Sequence, residues 1–85
     1  MLAVSFTERA AEDYDHWERS DRRILDKIKA LLREARETPL AGTGHPEPLK
    51  HEFSGCWSRR ITKEHRLVYR VDGDTLVVLQ CRFHY

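Results

Sequence analysis

Between Trp57 and Tyr69 the chain reads W-S-R-R-I-T-K-E-H-R-L-V-Y, an alternation that suits a sheet with two unlike faces. Side chains two apart in a strand fall on the same side. Trp57, Arg59 and Ile61 therefore share the side a core would accept, while Ser58, Arg60 and Thr62 take the other. After a turn at Lys63-Glu64-His65 the pattern resumes, with Arg66, Val68 and Arg70 opposed to Leu67, Tyr69 and Val71. Two successive strands thus carry guanidinium groups on one face and bulky apolar groups on the other. Such a polar face suits phosphate, because the planar fork bonds anionic oxygens bidentately and stays charged at any working pH.

The rest of the chain supplies what that hairpin packs against. Leu2 to Phe6 is a short strand, and Thr7 is placed to cap a helix in which Ala10, Ala11, Tyr14 and Trp17 form a narrow apolar stripe ending near Arg19. Ser20 and Asp21 restart the count. Ile24, Ile28, Leu31, Leu32 and Ala35 then mark a longer amphipathic helix that runs to about Glu37, where Pro39 stops it. Thr38 to Pro48 holds two of the four glycines and all three prolines and reads as a loop. Leu49 to Phe53 alternates as a strand, and Gly55 turns the chain into the strand at Cys56. The last hairpin turns at Asp72-Gly73-Asp74 and ends on T-L-V-V-L-Q-C-R-F-H-Y. Val77, Leu79, Cys81 and Phe83 take the inward parity there, Gln80, Arg82 and His84 the outward one. The expected fold is α+β: an N-terminal strand, a two-helix hairpin, then a four-strand antiparallel sheet with the helices on one face.

At 85 residues the chain is one domain, residues 1–85, burying roughly 60–65% of the surface its unfolded form exposes. No basic region leads into a long apolar run at the N-terminus, and no stretch approaches the roughly 20 apolar residues of a membrane span. With only Cys56 and Cys81, far apart, the expectation is a reduced, cytoplasmic, soluble protein. The net charge of +1 hides an asymmetry. Residues 1–38 carry nine acidic and eight basic side chains; residues 39–85 carry five acidic and seven basic ones, with four of the five histidines. A blanket nucleic-acid binder is more basic than this, so an RNA contact would be local and shaped.

Strand parity gathers Lys50, Arg60, Arg66, Arg82 and His84 on the open face, overlooked by a proline-bounded loop bearing Glu47. One carboxylate, one imidazole and several fixed cations match what metal-free RNA cleavage needs. One group takes the proton of a ribose 2′-hydroxyl, another protonates the departing 5′-oxygen, and positive charge stabilises the phosphorane between them. Blander uses compete: Glu47 as a solvated loop acid, His84 as a surface imidazole, the arginines as edge charges against aggregation. The scattered His and Cys residues lack the close spacings of a zinc site. Cys81 sits on the apolar parity, as a buried thiol would. Tyr14 and Trp17, at helical spacing, fit the core or a subunit contact, whereas for Trp57 an RNA contact stays open, since strand ends can present aromatics to RNA.

The runs P-E-P-L-K at 46–50, S-G-C-W-S-R-R-I-T-K-E-H-R-L-V-Y at 54–69 and C-R-F-H-Y at 81–85 resemble the YoeB (Txe) toxins of the RelE superfamily. D-R-R-I-L-D-K-I in the second helix and T-P-L-A-G-T-G in the loop extend the likeness over the chain. The resemblance implies a bacterial type II toxin that enters the ribosomal A site, cuts mRNA there without a cofactor, and is paired with a YefM-type antitoxin. It implies Glu47 as general base, His84 as general acid, Arg66 as the stabiliser of charge on the phosphate, Lys50 and Arg60 as backbone contacts, and Tyr85 as completing the site. It further implies a homodimer or a toxin–antitoxin hetero-oligomer. The family's usual Tyr-His-Tyr ending is Phe-His-Tyr here, and parity turns Phe83 to the core. The glutamate and histidine pair favours acid–base cleavage over the gyrase-directed ParE branch. The alternative is a non-catalytic RNA- or antitoxin-binding module of the same fold.

Overall fold

The computed structural model describes all residues, Met1–Tyr85. Strand β1 (Ala3–Phe6) leads into helix α1 (Glu8–Ser20), whose N-cap Thr7 accepts from the Ala10 N–H at 3.2 Å and donates to the Leu79 carbonyl at 3.1 Å. One hydroxyl thus starts the helix and ties it to the sheet. Asp21 alone separates α1 from α2 (Arg22–Glu37). Its N–H reaches Trp17 O at 2.9 Å to close the first helix, and its carboxylate accepts from Arg23 N and Ile24 N to open the second. Neither helix is long and apolar enough to cross a membrane.

The four strands after the helices are β2 (Glu47–Pro48), β3 (Trp57–Arg60), β4 (Arg66–Asp72) and β5 (Thr75–Gln80), joined antiparallel in succession. β1 lies parallel to β5, giving the order β1-β5-β4-β3-β2. The helices cover one face through Ala10, Trp17, Leu25, Ile28, Leu31, Leu32 and Ala35, packed on Ile61, Leu67, Tyr69, Leu76, Val78 and Cys81. The apolar phase of α2 falls on Leu25 rather than Ile24, which is half-buried. Trp57 also packs against this cluster.

Four local expectations are corrected. Leu49 to Phe53 is not a strand: pairing stops at Pro48, and His51–Phe53 is a 3₁₀ turn entered through His51 at φ 58°. Five residues of alternation fit a tight turn as well as a strand, and the left-handed His51 takes the chain out of the extended region. The inward parity of β5 belongs to Leu76 and Val78, both fully buried. Val68 pairs with Gln80 while Tyr69 pairs with Val78, so Leu79 is an extra residue; this bulge restores Cys81, but not Val77, to the core. Phe83, expected inside, stands 51% exposed at φ 67°, because the chain leaves the sheet after Gln80. Val71, expected on the apolar side, is likewise exposed.

Ser58, Val68 and Gln80 pair in a row across β3, β4 and β5 on the face away from the helices, yet all three are buried. The five residues after Gln80 run back across that face towards β2. This returning tail makes the far side of the sheet into a site.

Candidate active site

Two arms meet over the open face. The first is the loop from Thr38 to Pro48, organised by a side chain that strand parity places on the core side: Arg59, fully buried. Its Nε–H donates to the Tyr69 hydroxyl at 3.0 Å, Nη1 to Glu34 Oε1 and Thr43 O, each at 3.1 Å, and Nη2 to Thr38 O at 2.6 Å and Ala41 O at 2.8 Å. Every N–H of the guanidinium is thereby used. The Tyr69 hydroxyl passes the chain of bonds on to Pro39 O. A cation on an apolar parity can be buried only if it is fully partnered; here the partners are three carbonyls of the loop itself, the Glu34 carboxylate and the Tyr69 hydroxyl. The Thr43 N–H, then the Thr43 side chain, and then Arg59 hold the Glu34 carboxyl below its usual range. Burial pushes the Tyr69 phenol up, against the pull of Arg59. The loop closes where Gly44 O accepts from Arg60 N at 2.7 Å, and Glu47 then pairs with Ser58 as β2.

The second arm is the tail. The Cys81 N–H donates to Asp13 Oδ2 at 3.1 Å, and the Cys81 carbonyl accepts from Trp17 Nε1 at 2.9 Å, so α1 grips both sides of the last buried peptide. Burial, with Asp13 second, pushes the Cys81 thiol up to about 12, which removes it as a nucleophile. Arg66 N–H donates to Phe83 O at 3.0 Å. Tyr85 then crosses the sheet: its hydroxyl donates to Glu47 Oε1 at 2.9 Å and accepts from Ser58 Oγ at 3.4 Å. The His84 ring lies 4.6 Å from that of Tyr85, and its Nδ1 is 3.1 Å from the Tyr85 main-chain oxygen.

Glu47, Arg60, Arg66, His84 and Tyr85 line one cleft of ≈ 330 Å³, together with Gly44, His45 and Ser58. Arg66 spends one nitrogen on the carbonyls of Thr62, Lys63 and His65, which fixes the guanidinium at the cleft and leaves the rest of the fork unengaged. Lys50 is not in this cleft. It lines an adjoining hollow that shares Glu47 and Tyr85 and is walled by Pro48, Leu49, His51 and Phe53. Arg82, expected on the open face, instead stacks 4.5 Å from the Phe83 ring centre and 6.0 Å from that of Trp17. No three His, Cys, Asp or Glu side chains converge as metal ligands. A larger hollow of ≈ 560 Å³ lies between β1, α1 and α2, with Val4, Phe6, Ala11 and Leu32 as apolar walls and Asp15, Lys29, Arg33 and Arg36 among its other lining residues.

Residues 6–85 match the model of the YoeB-like toxin of bacterial type II toxin–antitoxin systems. The chain belongs to that family. It is 52% identical to toxin YoeB of Escherichia coli K12 over 84 residues, 99% of this chain and all of that one. Its fold superposes on a YoeB/ParE toxin from Agrobacterium tumefaciens with a TM-score of 0.94 at 51% identity, covering 99% of this chain and 100% of the other. It also superposes on a chain of the heterotetrameric YoeB-YefM toxin–antitoxin complex from Staphylococcus aureus, with a TM-score of 0.90 at 40% identity over 100% and 99% of the two.

Sequence reasoning left four members of this YoeB-family site without a role. Arg59 announced itself as a cation on the core parity. Ser58, on the polar parity, becomes buried only because the tail crosses it. His45, in the left-handed region at φ 50°, and His65, at the turn before β4, carried no signal beyond being histidines. Their positions depend on contacts far away in the chain.

Proposed function

We propose that this YoeB-family toxin is an endoribonuclease that cuts mRNA in the ribosomal A site by acid–base chemistry of its own side chains, without a cofactor. Glu47 takes the proton from a ribose 2′-hydroxyl, and the 2′-oxygen attacks the adjacent phosphorus. The bond from phosphorus to the 5′-oxygen breaks, His84 gives that oxygen a proton, and the products are a 2′,3′-cyclic phosphate and a 5′-hydroxyl. Arg66 faces the non-bridging oxygens, where charge accumulates in the phosphorane. Arg60 in the cleft and Lys50 beside it hold the RNA backbone. Tyr85 orients the Glu47 carboxylate and completes the wall next to His84.

The observation that carries this reading is the 2.9 Å hydrogen bond from Tyr85 to Glu47, which joins the two arms while His84 and Arg66 line the same cleft. Its test is inducible expression of the wild type beside Glu47→Ala and His84→Ala, with the 5′ ends of cellular mRNA mapped. New ends within codons are expected in the wild type alone. Unchanged growth and message ends in the wild type would leave a binding module without chemistry.

A toxin of this kind acts in the cytoplasm and must be silenced there. We assign that task to an acidic, partly disordered YefM-type antitoxin segment, which orders itself on the toxin as it binds; the YefM complex of the S. aureus relative supports the pairing. Assembly as a homodimer or as a toxin–antitoxin hetero-oligomer is part of the same proposal.

A further inference from the structure

The tail is held peptide by peptide as far as Phe83, and from there His84 and Tyr85 enter the cleft. Phe83 is the last residue whose main chain is anchored to the sheet, and it is a bulky side chain in the left-handed region at φ 67°, a conformation that persists only where neighbours impose it. Its carbonyl is fixed by the main chain of β4, through Arg66 N–H. Its N–H donates to a side chain, His65 Nδ1, at 2.8 Å.

His65 is itself rigidly placed. Its carbonyl accepts from Ile61 N at 3.0 Å and Thr62 N at 3.3 Å, its N–H donates to Thr62 Oγ1 at 3.2 Å, and its ring packs edge-on to Trp17 at 4.7 Å. Because Nδ1 accepts, the ring's proton lies on Nε2. We infer that His65 is a positioning residue: its δ-nitrogen holds the Phe83 peptide in the left-handed turn that delivers His84 and Tyr85 to Glu47. This deepens the nuclease reading and rests on it only where cleavage is the readout.

A ring that merely fills space against Trp17 would tolerate any aromatic replacement. An acceptor required at the δ position makes a different demand. Asparagine carries an oxygen near the place of Nδ1, glutamine carries its oxygen one bond further out, and phenylalanine keeps the ring without an acceptor. The full-length protein is therefore compared as wild type, His65→Asn, His65→Gln and His65→Phe by Phe83 amide hydrogen exchange and by RNA cleavage.

Exchange at Phe83 is expected to quicken about tenfold in H65F and H65Q, the effect of losing one hydrogen bond, while H65N stays near wild type. Cleavage should fall about 10²-fold in H65F and H65Q and be largely restored in H65N, since a displacement of about 1 Å at a reacting group has that effect. In the unmutated protein, scalar coupling across the hydrogen bond between the Phe83 amide nitrogen and an unprotonated His65 Nδ1 reads the same contact without depending on any variant's folding. Absence of that coupling, or equal exchange in H65N and H65F, overturns the inference. A wild type that shows the coupling but cuts no RNA removes the nuclease reading and leaves the anchoring of the tail intact.

Discussion

The loop that carries Glu47 and the tail that carries His84 and Tyr85 reach the same cleft by opposite means. The loop is tied inward: three of the five hydrogen bonds from a buried guanidinium hold its carbonyls, a fourth goes to the Tyr69 hydroxyl, and α2 supplies the counter-charge through Glu34. The tail's main chain is tied to the sheet only as far as Phe83, beyond which the Tyr85 hydroxyl alone reaches Glu47 and Ser58, and its last three residues are exposed. Displacing the loop means breaking into the core, whereas displacing the tail costs a few hydrogen bonds near the surface. Glu47, the proposed base, is thus set by the same contacts that hold the fold, and His84, the proposed acid, by contacts that can be lost while the fold survives.

The largest expected effect follows on the loop side. Arg59→Leu leaves the carbonyls of Thr38, Ala41 and Thr43 and the Tyr69 hydroxyl without their donor, and should lower stability by on the order of 3 kcal/mol. Chemical denaturation measures it; a loss under about 1 kcal/mol would mean that the loop is not held from within. Gly42→Ala comes next. At φ 114° a new Cβ would overlap Glu34 Oε1, so the carboxylate must leave Thr43 and Arg59, at an expected cost of about 2 kcal/mol.

On the tail side the comparison inverts. Tyr85→Phe removes the bond to Glu47 and should change the unfolding free energy by no more than about 0.5 kcal/mol while cleavage falls about tenfold or more. A variant destabilised as much as Arg59→Leu would erase the distinction between the arms. The smallest effect is a slope. Glu34 titrates below its ordinary 4.5 in the folded protein, so its contribution is complete above that value and is lost as pH falls through the lowered one. Wild-type stability should therefore decline in acid more steeply than that of Glu34→Gln, read from denaturation midpoints between about pH 5 and pH 2.

The same contrast sets what the chain disclosed before folding. Both helices were legible because Thr7 and Asp21 cap them and their apolar residues keep a 3.6 period, and the hairpin at Asp72-Gly73-Asp74 was marked by its turn residues. Family likeness, carried by runs such as P-E-P-L-K and C-R-F-H-Y, named Glu47, Arg66, His84 and Tyr85. Strand parity gathered Arg66 and His84 beneath the loop bearing Glu47; the seat of Tyr85 between Glu47 and Ser58 was beyond local pattern, since it needs Glu47 paired with Ser58 and a tail that turns back. Period-2 reasoning failed at the bulge opposite Val68 and Tyr69, where one extra residue exchanged the faces of β5, and again at Phe83, where the strand had already ended. Arg59 was visible as an anomaly, but its loop partners come from residues 16 to 21 positions away.

The central claim is that an acid on one arm and a base on the other act together on one phosphodiester. The rate of RNA cleavage between about pH 5 and pH 9, for wild type, Glu47→Gln and His84→Gln, tests it most directly. The expected wild-type profile is a bell, with residual cleavage in Glu47→Gln losing the acidic limb and that in His84→Gln losing the alkaline one. A wild-type rate indifferent to pH over that range, or an unaltered bell in both variants, would contradict it.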